Sequence, residues 1–265
     1  MSMKLAAADL EAIERATFDA VPPEAVGELP GWLLGFDSGT VSRAHSAVPL
    51  VHESPGAAAG SSPDAVVIRE IEARYAAHGL RAVFRIPTLP TLDGFSAALR
   101  ECGYEARKPT RVFVASTADM RAAAKGEDAE LMAQPDDAWR AVFLGEGFDP
   151  VDGASRVQIL GRAQHGAYAC VRVDGQTVAA GMGSFSHGWA SVHGMRTLPA
   201  YRGRGMAGRI LGAIAEEAMG RGIERAFLQV EAPNVGAQAL YTRFGFVVGW
   251  DYGYWYSMHE RGSGS

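Results

Sequence analysis

A run of alternating arginine and glycine, Arg202-Gly203-Arg204-Gly205, comes directly before an amphipathic stretch that begins at Met206. Glycines at a strand-to-helix turn let the backbone approach a ligand closely, and the first N–H groups of a helix bind anions. The helix dipole adds about 0.3–1 kcal/mol for a charge near the helix end, and the two guanidinium groups add full charges. The pattern therefore predicts a diphosphate-binding turn. The alternative is a solvated basic turn whose glycines serve only its tightness.

Other phosphate and metal chemistries do not fit the sequence. The turn lacks the Gly-Lys-Ser/Thr of nucleotide-hydrolysing loops, and no acidic residue follows a Gly-x-Gly-x-x-Gly run by about 20 positions, as dinucleotide-binding folds require. His165, His187 and His259 have no partners at metal-ligand spacing, so no metal site is predicted, and we interpret His187 as a turn residue. Cys102 and Cys170 form no zinc or disulfide pattern, which favours a reducing compartment.

Two stretches resemble signatures of the GNAT acetyltransferases. Residues 198–207 resemble the acyl-CoA-binding signature Arg/Gln-x-x-Gly-x-Gly/Ala, whose fixed places are filled by Arg202, Gly205 and Ala207. The second signature, Asn-x-x-Ala-x-x-Leu-Tyr-x-x-x-Gly-Phe, is met by Asn234, Ala237, Leu240, Tyr241, Gly245 and Phe246. The resemblance covers residues 167–258, whereas the first half of the chain resembles the family only in the order of its elements.

The resemblance implies an acetyl-CoA site and assigns a part of it to each motif. Backbone N–H groups of the turn would hold the diphosphate, Asn234 would bind the pantetheine arm, and Tyr241 would lie near the sulfur. The preceding strand would bulge, which Gly194 permits, so that amides at Met195 and Thr197 contact the cofactor. The residues implied for cofactor binding are Met195, Thr197, Arg202, Gly203, Arg204, Gly205, Met206, Ala207, Asn234, Ala237 and Tyr241.

Acetyl transfer to an amine needs a neutral amine, stabilisation of an oxyanion and a proton for the departing thiolate. Tyr241 is the candidate acid, although a phenol of pKa near 10 protonates a thiolate of pKa near 8.5 only if the site shifts one of them. Ala237, Leu240, Tyr241 and Phe244 share one helical face, so Tyr241 is alternatively a core aromatic residue.

Three candidates compete for the general base. His193 ranks first because it lies two residues before Met195, on the same face of an extended strand, and an ordinary histidine pKa of about 6.5 suits the task. Glu231 is the rival, at the end of the strand predicted over 226–230. A base linked through solvent is the third. His193 is alternatively a strand histidine with satisfied hydrogen bonds.

The second half of the chain predicts the elements that position these residues. Strands at 167–173 and 177–184 flank Asp174-Gly175, a hairpin signal, and a third strand covers 190–197. A helix over 206–220, a strand over 226–230, a helix over 235–244 and aromatic-rich closing strands over 247–258 follow.

The first half repeats this order. A hairpin is predicted from 31–36 and 40–50, and a Gly/Ser/Pro/Ala loop at 53–64 precedes a helix that ends at Gly79. A strand at 82–86, a helix capped by Thr91 and a short strand at 111–115 complete the set. We infer a tandem α/β architecture, an α+β mixed sheet. Each half would be a mostly antiparallel twisted sheet flanked by helices, with a splayed central strand pair in the second half.

The domains inferred are residues 1–120, a degenerate GNAT-like half, and residues 121–265, the catalytic half. When Gly103 is matched to Gly245, leucines replace the tyrosine and asparagine of the second signature, at Leu99 and Leu92. The first half would then wall the acceptor pocket, with Trp32, Arg43 and His45 as candidate substrate-binding residues. The alternative is that Trp32 belongs to the core and that Arg43 is a solvated strand residue.

Composition bounds the partners. The chain has 265 residues, 48% apolar and 21% charged, so both halves can build a core. No apolar run approaches the ~20 residues of a membrane span, and acidic residues occupy the N-terminus where a signal peptide needs an apolar stretch, so a cytoplasmic protein without a membrane partner is expected. A net charge of −5 without a block of like charge argues against nucleic acid.

The leading hypothesis is an acetyl-CoA-dependent N-acetyltransferase that transfers the acetyl group directly to a small primary amine in a ternary complex. The alternatives are a non-catalytic acyl-CoA sensor, against which the intact Tyr241 argues, and a protein or peptide N-acetyltransferase. The acceptor stays open between polyamines, aminoglycosides and the carboxylate-bearing amines that Arg43 would suit. The sequence is compatible with a homodimer.

Overall fold

The computed structural model describes residues 5–52, 63–126 and 129–258. Its helices are α1 (Ala7–Ala20), α2 (Pro63–Ala77), α3 (Asp93–Glu101), α4 (Thr117–Ala123), α5 (Asp137–Leu144), α6 (Pro150–Leu160), α7 (Met206–Gly220) and α8 (Val235–Arg243). Its strands are β1 (Ala25–Leu29), β2 (Trp32–Phe36), β3 (Ala47–Pro49), β4 (Val83–Pro87), β5 (Tyr104–Ser116), β6 (Glu130–Met132), β7 (Gly166–Val173), β8 (Gln176–Ser186), β9 (Trp189–Thr197), β10 (Arg225–Glu231) and β11 (Val247–Ser257). The predicted loop at 53–64 and His259 lie largely or wholly outside the described residues.

All described strands join one open sheet in the order β1-β2-β3-β4-β11-β5-β10-β9-β8-β7-β6. The two halves are therefore not two separate sheets, because they exchange their last strands. β11 pairs with β4 of the first half, and β5 pairs with β10 of the second. The exchange depends on the length of β5, which covers thirteen residues rather than the predicted 111–115 and pairs on both of its edges.

The sheet is covered by helices on both faces. On one face, α7 buries Ile210, Leu211 and Ile214 in a cluster with side chains of β5, β8, β9 and β10. On the other face, α1 packs Ile13 and Ala16 against strand residues, and α5 and α6 bury a third cluster. The sequence pattern did not predict α1, α5 and α6. Asp136 and Asp149 cap α5 and α6 through their side chains, which is the local signal for both helices.

The central strands of the second half separate as predicted. β9 and β10 pair in parallel only from Ala190↔Ala226 to Val192↔Leu228, so the rest of β9 has no strand on that edge. Because α7 begins directly beyond β9, its N-terminus faces this opening. The splay thus creates a cleft in the sheet without interrupting the chain.

The predicted second strand of the first hairpin is only partly formed. β3 pairs antiparallel with β2, but it covers only Ala47–Pro49, and residues 37–46 form a loop. Tertiary contacts to α6 and the segment after it explain the difference. The Thr40 backbone N–H donates to Ser155 Oγ at 2.9 Å, and Arg162 forms an ion pair with the buried Asp37. The 37–46 loop thereby reaches from the first half to the cleft of the second.

Among the residues that the structure describes, no helix combines the length and apolarity needed to cross a bilayer.

Candidate active site

The glycine turn between β9 and α7 adopts the left-handed backbone that its glycines allow. Gly203 has φ of +74°, and Gly205, the N-cap of α7, has φ of +81°. A Cβ atom at either position would meet nothing within 4 Å, so the space at the turn is open. No side chain of a described residue caps α7. The N–H groups of the first helical turn are therefore available to an anion.

This turn forms one wall of a cavity of about 850 Å³, which we call the turn cavity. It is lined by Phe148, Met195, Arg196, Thr197, Tyr201, Arg202, Gly203, Gly205, Met206, Ala207, Gly208, Asn234, Gly236, Ala237, Leu240 and Arg243. All the predicted cofactor residues except Arg204 and Tyr241 are in this set. The guanidinium of Arg204 instead lies over the Tyr201 ring, 5.3 Å from its centroid.

A bulge in β9 exposes backbone to the turn cavity. Ala180 pairs with Arg196 and Met182 pairs with His193, so Gly194 and Met195 together oppose a single residue of β8. Gly194 has φ of +62°, and a Cβ there would lie 2.6 Å from Leu160 Cδ1, so both backbone and space require glycine. Because β10 does not pair with this part of β9, the outer edge of the bulge faces the turn cavity instead of a neighbouring strand.

Asn234 begins α8 at the opposite wall of the turn cavity. Its Oδ1 accepts a hydrogen bond from the Ala237 backbone N–H at 3.1 Å and so caps the helix. The side chain is exposed, which leaves its NH₂ group directed to solvent or to a ligand. One residue therefore both fixes α8 and offers a donor to the cavity.

Tyr241 lies beneath the surface of the cleft. Its ring is 8% exposed and contacts the Phe246 ring edge-on at 5.9 Å between centroids. Burial raises the pKa of Tyr241 to about 12, although the positive charge of Arg43 opposes that rise. The phenol is therefore protonated throughout the neutral range and can donate a hydrogen bond.

His193 is more deeply buried than a proton acceptor for a soluble substrate would be. It is 3% exposed, and its Nε2 has no hydrogen-bond partner among the described residues. Burial, with a smaller contribution from the charge of Arg43, lowers the pKa of His193 to about 3. The imidazole is therefore neutral near pH 7, with a proton on only one of its two ring nitrogens.

Glu231 lies at the end of β10 and lines a second cavity of about 270 Å³, which we call the polar cavity. Both halves of the chain build it, since it is lined by Thr40, Val41, Ser42, Arg43, Lys108, Thr110, Asp152, Arg156, Glu231 and Tyr254. The side chain of Glu231 is exposed, unlike that of His193. Of the two side chains considered as the base, Glu231 is therefore the one that is open to this cavity.

The ion pair between Arg196 and Asp152 connects the two cavities. Arg196 lines the turn cavity and donates to Asp152 Oδ2 at 2.8 Å, and Asp152 lines the polar cavity. The same oxygen accepts from Arg156 Nε at 2.7 Å. Burial raises the pKa of Asp152, but these arginines and Thr40 outweigh burial and leave the pKa below its usual value. Asp152 is therefore charged and fully engaged.

Of the three substrate residues predicted in the first half, only Arg43 lines the polar cavity. Trp32 is 7% exposed and packs 4.8 Å from Phe95, between ring centroids, in the core of the first half. His45 hydrogen-bonds the backbone carbonyls of Asp37 and Arg81 through its two ring nitrogens, which anchors the 37–46 loop. The sequence predicts Arg43 and His45 on the second strand of a hairpin. Because residues 37–46 form a loop instead, the alternation of side chains along a strand does not decide where these two residues point.

Sequence reasoning missed several residues of the site. Phe148 follows α5 and contacts the Arg196 guanidinium at 4.2 Å from its ring centroid. Arg196 lies between two predicted cofactor residues, where a regular strand would turn its side chain to the opposite face. Asp152 and Tyr254 carry no motif, and only the packing of α6 and the exchange of β11 bring them to the cleft.

Known proteins resemble this chain over nearly its whole length. A family model described as "Probable histone acetyltransferase Rv0428c C-terminal" matches residues 7–255. The chain belongs to this family. Members of the GNAT superfamily use acetyl-CoA, and this member of the Rv0428c C-terminal family is an acyl-CoA-dependent N-acetyltransferase.

Solved structures show the same fold at low sequence identity. The GCN5-related N-acetyltransferase from Kribbella flavida is 17% identical, with a TM-score of 0.66 and 98% of both chains covered. A functionally unknown conserved protein from Staphylococcus epidermidis is 11% identical, with a TM-score of 0.63 and coverage of 92% of this chain and 98% of that one. A tandem GNAT protein from the clavulanic acid biosynthesis pathway is 15% identical, with a TM-score of 0.58 and coverage of 95% and 96%. No curated protein matches this chain.

The turn cavity of this family member fits the diphosphate and pantetheine of acetyl-CoA. The open left-handed glycines and the uncapped start of α7 suit an anion, and Arg202 and Arg243 line the same cavity with positive charge. The edge of β9 that β10 leaves open at the bulge and the exposed Asn234 suit the polar groups of an amide-containing arm.

Proposed function

We propose that this N-acetyltransferase transfers an acetyl group from acetyl-CoA directly to the primary amine of a small molecule in a ternary complex. The observation that carries the proposal is the adjacency of two cavities that share the Arg196–Asp152 ion pair. One cavity carries an anion-binding turn, and the other carries a reachable carboxylate, Glu231. A thioester and an amine held in these cavities would meet at the splay of the sheet.

The residues of the turn cavity would hold acetyl-CoA, which supplies an activated acetyl group when bound. The N–H groups of Gly205, Met206 and Ala207 bind the diphosphate, and Asn234 donates to the pantetheine arm. The backbone N–H of Met195, at the bulge on the edge of β9 that β10 leaves open, would donate to the thioester carbonyl oxygen where negative charge develops. Its position on a rigid strand lets it act without reorganisation.

Glu231 rather than His193 would remove the proton from the substrate ammonium. A base of pKa about 3 that is 3% exposed has too little affinity for a proton and no access to solvent. Glu231 is exposed at the end of β10, where the strands are already apart. This reverses the order expected from the sequence. His193 would then act as a neutral packing residue of β9.

Tyr241 would stabilise the departing sulfur by a hydrogen bond from its phenol. A phenol of pKa about 12 is a weaker acid than a thiol of pKa about 8.5, so complete proton transfer is uphill by about 5 kcal/mol. A hydrogen bond from the protonated phenol has no such cost.

The first half, residues 1–120, would serve as the wall of the acceptor site rather than as a second catalytic domain, with residues 121–265 forming the catalytic half. Its 37–46 loop supplies several residues of the polar cavity, and β5 supplies Lys108 and Thr110. A volume of about 270 Å³ suits a small molecule. The enclosure by both halves favours such an acceptor over a protein lysine.

The base is tested with Glu231→Gln and with Glu101→Gln, a control that removes an exposed carboxylate of α3. Thiol release from acetyl-CoA is measured with a panel of amines at about pH 7.5 and again near the amine pKa of about 10. We expect Glu231→Gln to lower kcat/KM by about 10²-fold or more at the lower pH and much less at the higher pH, where the amine is already neutral. Equal losses at both pH values, or full activity, would contradict the role of Glu231. Absence of calorimetric CoA binding by the unaltered protein would contradict the whole proposal.

A further inference from the structure

The polar cavity carries more positive than negative charge. Arg43, Lys108 and Arg156 line it, together with the carboxylates of Asp152 and Glu231. Asp152 is already occupied, because its Oδ2 accepts from Arg156 and Arg196 and its Oδ1 accepts from Thr40 Oγ1 at 3.1 Å. Glu231 is thus the one lining carboxylate left to interact with a ligand in the described part of the chain. Arg43 and Lys108 form no ion pair with a carboxylate among the residues that the structure describes.

Arg43 is the less satisfied of these cations. Its Nε is buried and has no hydrogen-bond partner among the described residues, and the structure gives the guanidinium no ion pair. A buried charged donor without a partner is costly, so the site gains when a ligand supplies an acceptor. Arg43 lines the cavity together with Glu231 at the end of β10, and its positive charge contributes to the lowered pKa of His193 and opposes the rise in the pKa of Tyr241.

Lys108 lies on the same side of the cavity. Its Nζ is 3.4 Å from Ser42 Oγ, so the ammonium and the residue next to Arg43 are neighbours. Lys108 adopts φ of +50°, a backbone conformation that a non-glycine residue seldom takes, at the bend of β5 that brings it to the cavity. Neither Lys108 nor Arg43 forms an ion pair with any described carboxylate.

We propose that the acceptor is an amine that also carries a carboxylate, and that Arg43 and Lys108 bind this carboxylate while Glu231 faces the amine. The inference rests on the proposed function and names its substrate class. A guanidinium binds a carboxylate through two parallel hydrogen bonds, and Lys108 adds a point charge. A zwitterion matches the cavity because its carboxylate would face Arg43 and Lys108 while its ammonium would face Glu231.

The test uses matched amines that differ only in the carboxylate, alanine against ethylamine and phenylalanine against phenethylamine. We expect kcat/KM to be at least about tenfold higher for the carboxylated member of each pair. Arg43→Gln should abolish that preference mainly through KM, and Arg43→Lys should restore part of it. Arg74→Gln is the control, because Arg74 is exposed on α2 and its guanidinium forms an ion pair with Glu70 of the same helix.

Equal rates for the two members of each pair, a preference for the amines without a carboxylate, or an equal loss for both members in Arg43→Gln would overturn the inference and leave the acetyltransferase proposal intact. A preference for phosphoethanolamine over every amino acid would show that the site binds a phosphate, and it would overturn the proposal that the acceptor carries a carboxylate.

A binding measurement separates this inference from the proposed function. Calorimetry compares N-acetylalanine with N-ethylacetamide, which lacks the carboxylate, on the unaltered protein and on Arg43→Gln. Binding of N-acetylalanine alone, weakened about tenfold or more by Arg43→Gln, supports the carboxylate site even if no amine is turned over. No binding of N-acetylalanine overturns it. Circular dichroism of Arg43→Gln confirms that the variant is folded.

Discussion

The left-handed conformation of Gly205 allows the anion-binding turn to be tested separately from stability. Gly205→Ala places a methyl group in open space, since a Cβ there meets nothing within 4 Å at φ of +81°. The only cost to folding is backbone strain of about 1–2 kcal/mol. Gly79 is a matched control, because it has φ of +70° and equally open space but lies beyond the end of α2, remote in sequence from the turn.

Both variants should therefore lose about 1–2 kcal/mol in the free energy of unfolding, measured by urea denaturation. Only Gly205→Ala should weaken CoA binding, because its methyl group occupies the space where the diphosphate approaches the helix N-terminus. We expect a loss of at least about tenfold in affinity by calorimetry, equivalent to about 1.4 kcal/mol. Pantetheine, which lacks the diphosphate, should bind both variants equally.

The result that refutes this reasoning is equal CoA affinity in Gly205→Ala and Gly79→Ala at equal loss of stability. The turn would then be a solvated basic turn. A loss of pantetheine affinity as large as the loss of CoA affinity would show that the methyl group distorts the whole cavity rather than the diphosphate site.

Three further perturbations follow from buried groups. Tyr241→Phe should lower kcat by about 10²-fold or more while CoA affinity stays within about twofold, and unchanged kcat would remove the phenol from the mechanism. His193 has a pKa of about 3 in the folded protein and about 6.5 when unfolded, so the unfolded chain binds the extra proton and stability falls as the pH drops below about 6.5. We measure the free energy of unfolding by urea denaturation between about pH 6.5 and 4.5. Its slope against pH should be reduced by up to about 1.4 kcal/mol per pH unit in His193→Gln. An unchanged slope would mean that His193 is protonated in the folded state. The Arg85 side chain is 1% exposed, and its Nη1 lies 2.6 Å from Glu14 Oε2. Glu14→Gln should therefore lower the free energy of unfolding by about 3–5 kcal/mol, because it leaves Arg85 without a counter-charge. A loss below about 1 kcal/mol would show that solvent reaches Arg85.

Local sequence determined the elements and the turn that define this protein's chemistry. The helix over 206–220 and the hairpin at Asp174-Gly175 are formed as predicted, because amphipathic spacing and positive-φ residues act over a few neighbouring positions. The bulge at Gly194 and the cap at Asn234 are likewise local, since each depends on one residue type that a single backbone geometry requires. The family signatures therefore locate the turn cavity without reference to the rest of the chain.

Tertiary structure alone decided which residues line the polar cavity. The sequence ranks His193 above Glu231 as the base, but the sheet buries His193 and leaves Glu231 exposed at the open end of β10. Arg43 reaches the cavity because α6 holds the 37–46 loop away from the predicted strand, and Tyr254 because β11 crosses into the first half. Burial and pKa depend on atoms contributed by distant segments, so no local pattern of residues can specify them.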